Sequence, residues 1–361
     1  MNEQEKYDWM VYVSCMTYNQ TQYIEDAMNG FTMQETNFPF VCAVVDDAST
    51  DGEPEVIRKY LQENFDLEDK SVVRNEETDD YVLCFAQHKT NKNCYFAVLW
   101  LKYNHYSIKK TKVPYIAQWR EKAKYIAICE GDDYWIVEDK LQKQVNYLES
   151  HSDYVLVHSD FTRVHGKGKR IKHNGSRNYK IYEGNVTNTL FNGCWIRTPT
   201  VCYKNIDYNL NVKYPQGMFK GDIFLFFLLS LKGKFHFMDK ETCVYRIVEN
   251  SASHPISEEN RWRFKESLKI LDYFMADHLK VESEIMSVLD NKWFIEDFRH
   301  SILASDYSFY KRITVPQRLE CPQNIQLQYK MAKIKPVFYL MSYRIKLIRF
   351  LKAIVRRYIN H

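Results

Sequence analysis

Apolar runs and amphipathic segments alternate along the first 250 residues of the chain. Three runs have the continuous apolar character of buried strands: 9–15, 40–47 and 124–130. Three following segments repeat apolar residues at helical spacing: 22–31, 53–65 and 138–150. Strands that alternate with helices predict parallel strands joined by crossover helices. We therefore expect an α/β fold with a mostly parallel central sheet flanked by helices.

The pattern changes after about residue 255. Residues 153–161 and 194–204 have the apolar character of further strands, and we expect the second to cross a cleft. Beyond them, 261–279 and 281–303 have a helical pattern instead. We predict a sheet domain over residues 1–255 and a helical C-terminal region over residues 256–361.

Composition predicts a folded protein. The chain has 361 residues, of which 45% are apolar and 15% aromatic, enough for a sizeable core. Its nine cysteines are odd in number and contain no CxxC pair, which indicates reduced thiols rather than disulfides or a zinc site. The polar start "MNEQEKYDWM" and the lack of a long apolar run predict neither a leader nor a membrane span. We expect a cytoplasmic protein.

Polar side chains follow each of the three predicted parallel strands. They are Thr17, Tyr18 and Asn19 after the first strand, Asp46 and Asp47 after the second, and Asp132 and Asp133 after the third. The carboxyl ends of parallel strands meet at one sheet edge, where ligands of such folds bind. A helix cap would explain one acid in each loop, but not two adjacent acids attached to an apolar strand. Paired carboxylates repel and are costly to desolvate, so solvent, a helix amino terminus or a cation compensates them, and two pairs at one sheet edge favour a functional site.

Several segments, taken together and in order over about residues 9–254, resemble glycosyltransferase family 2. They are "VSCMTYNQTQYIEDAMNGFTMQ", "VVDDASTDG", "ICEGDDYWIVEDKLQKQVNYLE", and "GDIFLFFLLSLKGKFHF" followed by "VYRIVENSASH". The resemblance implies a GT-A-type nucleotide-diphospho-sugar transferase fold. It also implies inverting transfer of a sugar, with a UDP-sugar as the favoured donor, to a hydroxyl of a glycan or lipid-linked glycan. Bacterial capsule, exopolysaccharide or lipopolysaccharide synthesis is the process it suggests.

The resemblance implies that residues of about 9–135 bind the nucleotide-sugar donor and that residues of about 151–255 form the acceptor side of the cleft. By this likeness Asp47 contacts the nucleotide base with Asp46 beside it, and Thr17, Tyr18 and Asn19 belong to the donor site. Asp132 would contact the donor ribose and the metal, and Asp133 the metal. The implied cofactor is Mn²⁺ or Mg²⁺, which prefer carboxylate and phosphate oxygens. Such a cation stabilises the charge on the departing nucleoside diphosphate.

Three further residues match less simply. Asp222 opens an apolar helix and has the pattern of an N-cap, whereas the resemblance implies a general base that deprotonates the acceptor hydroxyl. Arg246 matches a family arginine near the diphosphate, and it could equally pair with a surface carboxylate such as Glu249. Val248 stands where relatives commonly have histidine; His254 is the candidate replacement metal ligand, although a lone histidine is more often structural.

The role of one segment and two other classes of protein stay open. The stretch 88–123, including 103–119, is longer than in simpler relatives and fits either a lid or acceptor wall, or a helical insert packed on the sheet. A nucleotidyltransferase would share the metal chemistry, but "SCMTYNQ" lacks the glycines and cations of a phosphate loop. A non-enzymatic RNA-binding protein would need an aromatic and basic signature that the sheet lacks, so we predict no nucleic-acid partner.

The C-terminal tail carries the positive charge. Residues 321–361 contain nine Lys or Arg and no Asp or Glu. Because the whole chain has a net charge of +4, residues 1–320 carry a net charge of 4 − 9 = −5. As a helix, residues 337–360 place apolar side chains on one broad face and cations opposite. That face either packs on the core of the protein or lies on an anionic membrane. We predict peripheral association with the inner face of the plasma membrane.

Overall fold

The computed structural model describes residues 7–166, 168–171, 182–248 and 257–359. The chain divides into two compact units. The first, which we call the sheet unit, comprises Met1–Thr189, Cys194–Asn211 and Leu225–Pro255. The second, the helical unit, comprises Leu190–Gly193, Val212–Phe224 and Ile256–His361.

The described residues of the sheet unit form one twelve-stranded sheet. The strands are β1 Trp9–Thr17, β2 Phe40–Asp46, β3 Phe65–Asp66, β4 Arg74–Glu77, β5 Tyr81–His88, β6 Cys94–Leu101, β7 Ala123–Ile128, β8 Tyr134–Trp135, β9 Tyr154–His165, β10 Lys169–Ile171, β11 Cys202–Lys204 and β12 Lys234–Ile247. Their order is β3-β5-β6-β2-β1-β7-β11-β9-β12-β8, with β10 beside β9 and β4 beside β5.

The centre of the sheet is parallel and its flanks are mixed. Strands β6, β2, β1 and β7 are mutually parallel neighbours, and β12 is parallel to β9. Strand β11 lies between β7 and β9 and is antiparallel to both. Every residue of β2 is buried, as expected for a central strand covered on both faces. The predicted α/β fold with a central sheet is confirmed.

The helices cover the sheet and build the helical unit. They are α1 Ile24–Thr32, α2 Glu53–Asn64, α3 Val113–Arg120, α4 Lys140–Ser150, α5 Thr187–Leu190, α6 Asp222–Ser230, α7 Glu258–Leu279, α8 Ser283–Ala304, α9 Tyr307–Arg312, α10 Gln323–Ala332 and α11 Lys335–Ile359. The helical C-terminal region is confirmed. Among the described helices, none combines the length and apolar character needed to cross a membrane.

Two parts of the sheet differ from the sequence pattern. The predicted strand 194–204 is wrong over most of its length, because a 3-10 turn occupies Thr198–Thr200 and only Cys202–Lys204 pairs as β11. Proline lacks the N–H that a ladder needs, and Pro199 stands within that turn. Strands β5 and β6 form an antiparallel pair that the alternation of strands and helices did not reveal.

Candidate functional site

The polar clusters of three central strands meet at one edge of the sheet unit. Thr17, the last residue of β1, pairs with Asp46, the last residue of β2. The backbone N of Asp47 donates to the O of Thr17 at 3.0 Å, and that of Gly131 donates to the O of Met16 at 3.1 Å. The convergence that the strand pattern predicts is therefore present, with the first loop between the other two.

Glu53 ties the first two loops together. Its side chain is fully buried and accepts hydrogen bonds from Thr17 Oγ1, from the backbone N of Gln20 at 2.8 Å and from Ser49 Oγ at 2.8 Å. Burial raises the pKa of Glu53, and the bond from Thr17 opposes that shift. Sequence reasoning missed this residue because an acid in the first turn of α2 already has a local explanation.

Asn19 makes a second connection between the same loops. Its backbone N donates to Ser49 Oγ at 2.8 Å, and its Oδ1 accepts from the N of Thr50 at 2.8 Å. Asn19 has a φ of 54°, a left-handed conformation that asparagine tolerates better than most residues. Its neighbour Tyr18 remains exposed at the edge.

The two aspartates after β2 have different surroundings. Asp46 is buried, its Oδ1 accepts from the backbone N of Ser49 at 3.0 Å, and burial raises its pKa. Asp47 is bound by residues 103–112, which we call the insert loop. Its Oδ1 accepts from the backbone N of His105 at 2.8 Å, and its Oδ2 accepts from the N of Tyr106 at 3.1 Å. Lys112 Nζ lies 2.9 Å from Oδ2, so both oxygens of Asp47 are engaged.

A second carboxylate, that of Asp80, also binds the insert loop. Asp80 accepts from Lys110 Nζ at 2.7 Å, from Tyr103 Oη, and from Tyr115 Oη at 2.7 Å. These donors, Lys110 first, hold the pKa of Asp80 well below its usual range. The insert loop is thus bound by two carboxylates, those of Asp47 and Asp80. Its residue Tyr106 is 76% exposed. Helix α3 follows directly, so the longer stretch contains both a loop and a helix.

The loop after β7, residues 129–133, which we call the acidic loop, packs closely against the loop after β1. A Cβ at Gly131 would overlap the side chains of Thr17 and Gln20, so only glycine fits there. Asp132 is half-buried, and burial raises its pKa although Arg246 and Gln20 oppose the shift. Asp133 is buried; burial first, and then the charges of Asp132 and Glu130, raise its pKa.

Arg246 organises this acidic loop from the last strand. Its backbone N donates to Asp133 Oδ1 at 2.7 Å, and its Nη1 donates to the backbone O of Asp132 at 2.9 Å. Its Nη2 forms an ion pair with Asp26 of α1. The guanidinium lies between the rings of Tyr23 and Tyr134, at 4.8 and 4.5 Å from their centroids. Asp26 is thus a partner carboxylate of Arg246, and Glu249 lies outside the described residues.

The acids of this edge fit a cation that takes most of its ligands from a substrate. Within the described ranges, no three His, Cys, Asp or Glu side chains are grouped to hold a metal. Mg²⁺ typically uses one or two carboxylates plus phosphate oxygens. Asp132 can supply one such ligand, because its carboxyl group is only half-buried at the sheet edge. His254 lies outside the described residues.

Asp222 belongs to the helical unit and is the first residue of α6. Its Oδ1 accepts from the backbone N of Ile223 at 2.9 Å, a contact local to the start of the helix. An N-cap side chain accepts from the N–H of the second or third helical residue instead, so both the cap and the base interpretations of Asp222 stay predictions.

The sequence comparisons reach only part of the chain. The chain matches no protein-family model. A stretch of 138 residues is 31% identical to uncharacterised proteins of Mycobacterium tuberculosis and Mycobacterium bovis, covering 38% of this chain. The match spans 31% of the length of each of these relatives.

The solved structures that match the chain include a bacterial protein bound to UDP and a mannosyltransferase. Staphylococcus aureus TarS, residues 1–349, in complex with UDP has 15% identity and a TM-score of 0.43, covering 93% of this chain and 91% of that one. The mannosyltransferase PcManGT of Pyrobaculum calidifontis, in complex with GDP-Man and Mn²⁺, has 14% identity and a TM-score of 0.47, covering 95% and 86%. With TM-scores below 0.5, these likenesses carry no argument about this chain.

Proposed function

We propose that the chain is a metal-dependent, inverting glycosyltransferase of the family 2 type, with a GT-A-type fold. It would move a hexosyl or N-acetylhexosaminyl group from a nucleotide sugar, most simply a UDP-sugar, to a hydroxyl of a glycan or lipid-linked glycan. A role in bacterial surface polysaccharide synthesis follows from that acceptor class. One observation supports the proposal above others: three polar loops, two of them with paired aspartates, are bonded together at the carboxyl edge of the parallel strands.

The donor half of the proposal uses the first two loops. Tyr18 offers an exposed ring beside the edge, on which a base can stack. Thr17 and Asn19 fix that loop through Glu53 and Ser49. Asp46 supplies a carboxylate that can accept an imide N–H of a base, the contact that the resemblance gives to Asp47. Because the insert loop engages both oxygens of Asp47, we assign Asp47 a positioning role toward the base, exerted through that loop.

The leaving-group half uses the acidic loop. Asp132 would hold Mn²⁺ or Mg²⁺ together with the donor diphosphate, and the buried Asp133 would be a second carboxylate ligand of the cation. When bound, the cation would supply Lewis-acid stabilisation of the departing diphosphate. Arg246 keeps Asp132 and Asp133 in place through its contacts to both residues. Asp222 is the proposed general base, removing the acceptor hydroxyl proton as oxygen attacks the anomeric carbon from the face opposite the leaving group.

The proposal is tested by donor binding and turnover. Purified protein is titrated with UDP-, GDP- and dTDP-sugars, with and without Mn²⁺, while thermal stability and released nucleoside diphosphate are measured. We expect one nucleotide class to raise the Tm in a metal-dependent manner. The variant Asp132→Asn should lose the metal-dependent part of that shift, because one charged oxygen ligand is removed.

A matched control is Asp139→Asn, which alters a nearby acid whose oxygens lie 2.6 Å from Lys143 Nζ and 3.2 Å from Lys240 Nζ. Its metal-dependent shift should equal that of the unaltered protein. Absence of binding and hydrolysis across the whole donor panel would contradict the proposed function.

A further inference from the structure

The last two helices expose an apolar face that is separate from the contacts holding them in the helical unit. Helix α11 packs through Phe338, Met341 and Ile345 against a core that includes Phe298 and Tyr310. Ser342 Oγ lies 2.6 Å from Ser305 Oγ, next to that core. These residues recur at helical spacing and occupy one side of α11 over residues 335–351, the part of the helix whose side chains the structure describes.

The other side of α11 carries large apolar side chains in solvent. Leu340 is 66% exposed and Phe350 is 63% exposed. The set on this helix is Leu340, Tyr343, Leu347, Ile348, Phe350 and Leu351. Helix α10 and the turn after it add Leu327, Met331 and Ile334. We call these nine residues the apolar face; so many exposed large apolar residues on two consecutive helices are typical of an interaction surface.

Charge identifies what the apolar face binds. Residues 321–361 contain nine Lys or Arg and no Asp or Glu. Arg344 lies among the exposed apolar residues, while Lys346 Nζ donates to Ser305 Oγ at 2.7 Å and Arg349 forms an ion pair with Glu258. A purely apolar protein partner would leave the exposed Arg344 without a counter-charge. An anionic lipid surface provides both an apolar layer and a continuous sheet of negative headgroups.

The length and form of α11 suit that surface. It has 25 residues, which corresponds to about 37 Å of straight helix. Such a helix can lie in the plane of the interface with its apolar side in the acyl boundary. We propose that α10 and α11 together form a docking surface for an anionic bilayer, in which the apolar face enters the interface and two exposed cations of the same helices, Lys330 and Arg344, contact lipid phosphates.

This inference is independent of the proposed activity and extends the predicted anchor beyond residues 337–360 to include α10. It also changes how the anchor should be tested. Deleting residues 337–361 would remove Phe338, which is fully buried in the helical unit, and would disturb folding. Substitution of exposed residues avoids that loss.

The experiment is co-sedimentation of the full chain with vesicles of phosphatidylcholine alone or mixed with phosphatidylglycerol. We expect binding to the anionic vesicles that weakens at high salt. The triple variant Leu340→Ser, Leu347→Ser, Leu351→Ser should reduce the partition coefficient about tenfold or more, since three apolar groups no longer enter the interface. Lys330→Gln with Arg344→Gln should reduce it about tenfold on anionic vesicles only.

The matched control is Val288→Ser with Val315→Ser, two exposed apolar residues of the same unit outside the apolar face. It should bind as the unaltered protein does, and far-ultraviolet circular dichroism checks that each variant folds. Failure of the full chain to bind anionic vesicles, or equal binding by the triple variant, would overturn the proposal. So would conversion of a dimer to a monomer by the triple variant without vesicle binding, since the face would then join two copies of the chain.

Discussion

The variant Asp47→Asn tests whether this carboxylate fastens the insert loop. Oδ1 of Asp47 accepts a hydrogen bond from the backbone N of His105. Oδ2 accepts from the N of Tyr106 and pairs with Lys112 Nζ. An asparagine has one acceptor oxygen and one NH₂ group, so at least one of these donors would face another donor. The buried lysine contact would also lose its opposite charge.

The expected magnitude follows from these contacts. A buried donor without a partner costs about 1–3 kcal/mol, and removing one member of a buried ion pair costs about 3–5 kcal/mol. The side chain of Lys112 is 19% exposed, so it can turn toward water and recover part of that energy. We therefore expect opening of the insert loop to become easier by about 3 kcal/mol, which raises the open population roughly 150-fold.

Limited trypsin digestion measures this opening, because the insert loop contains Lys109, Lys110 and Lys112. Cleavage within the loop should accelerate in proportion to the open population when opening and closing are faster than cleavage. Glu77→Gln is the control, since it breaks the neighbouring exposed pair with Lys102, whose Nζ lies 2.8 Å from Glu77 Oε1. Equal cleavage rates for Asp47→Asn and the control would refute the reasoning.

Three further variants address the base, the buried acids and the close packing at the edge. Asp222→Asn should retain donor binding in the presence of Mn²⁺ but transfer sugar about 10² or more times more slowly, as for a lost general base; intact transfer in a turnover assay would leave Asp222 as a cap only. Glu53 has a raised folded pKa, so its protonated form favours folding and its contribution is lost as pH rises through that pKa. Urea unfolding across this range should therefore show stability falling with pH, less steeply in Glu53→Gln; identical slopes would exclude Glu53 as a source. Gly131→Ala should lower the free energy of unfolding by about 1–3 kcal/mol because its methyl group overlaps Thr17 and Gln20; an unchanged urea midpoint would show that the loop moves freely to accept the methyl group.

Local features of the sequence were sufficient to predict the central sheet and its polar edge. Strand β2 is a continuous apolar run, and Asp46 and Asp47 follow it directly, so neighbouring residues carry the whole signal. The pair β5 and β6 was missed because it is a hairpin with no crossover helix between its strands. The strand predicted over 194–204 was wrong where Pro199 favours a turn.

Long-range partners were beyond sequence reasoning for a physical reason. Glu53 has the position and charge of a helix-opening acid, yet its partner Thr17 is 36 residues away. The ion pair of Arg246 with Asp26 spans 220 residues. Neither spacing produces a periodic pattern, so each role becomes visible only when the strands are placed side by side. The insert loop is a similar case, because its link to Asp47 depends on backbone N–H groups that every non-proline residue possesses.

The position of Arg246 in the last strand has a consequence for how the protein is made. Asp132 and Asp133 leave the ribosome more than a hundred residues before the arginine that binds them, and Asp26 earlier still. Until β12 has been synthesised and paired with β9, the acidic loop lacks the guanidinium and the backbone N–H that hold it. A nascent chain, or any fragment that ends before residue 246, can therefore build the central strands but cannot assemble the finished acidic loop, so that loop forms only when synthesis of the sheet unit is nearly complete.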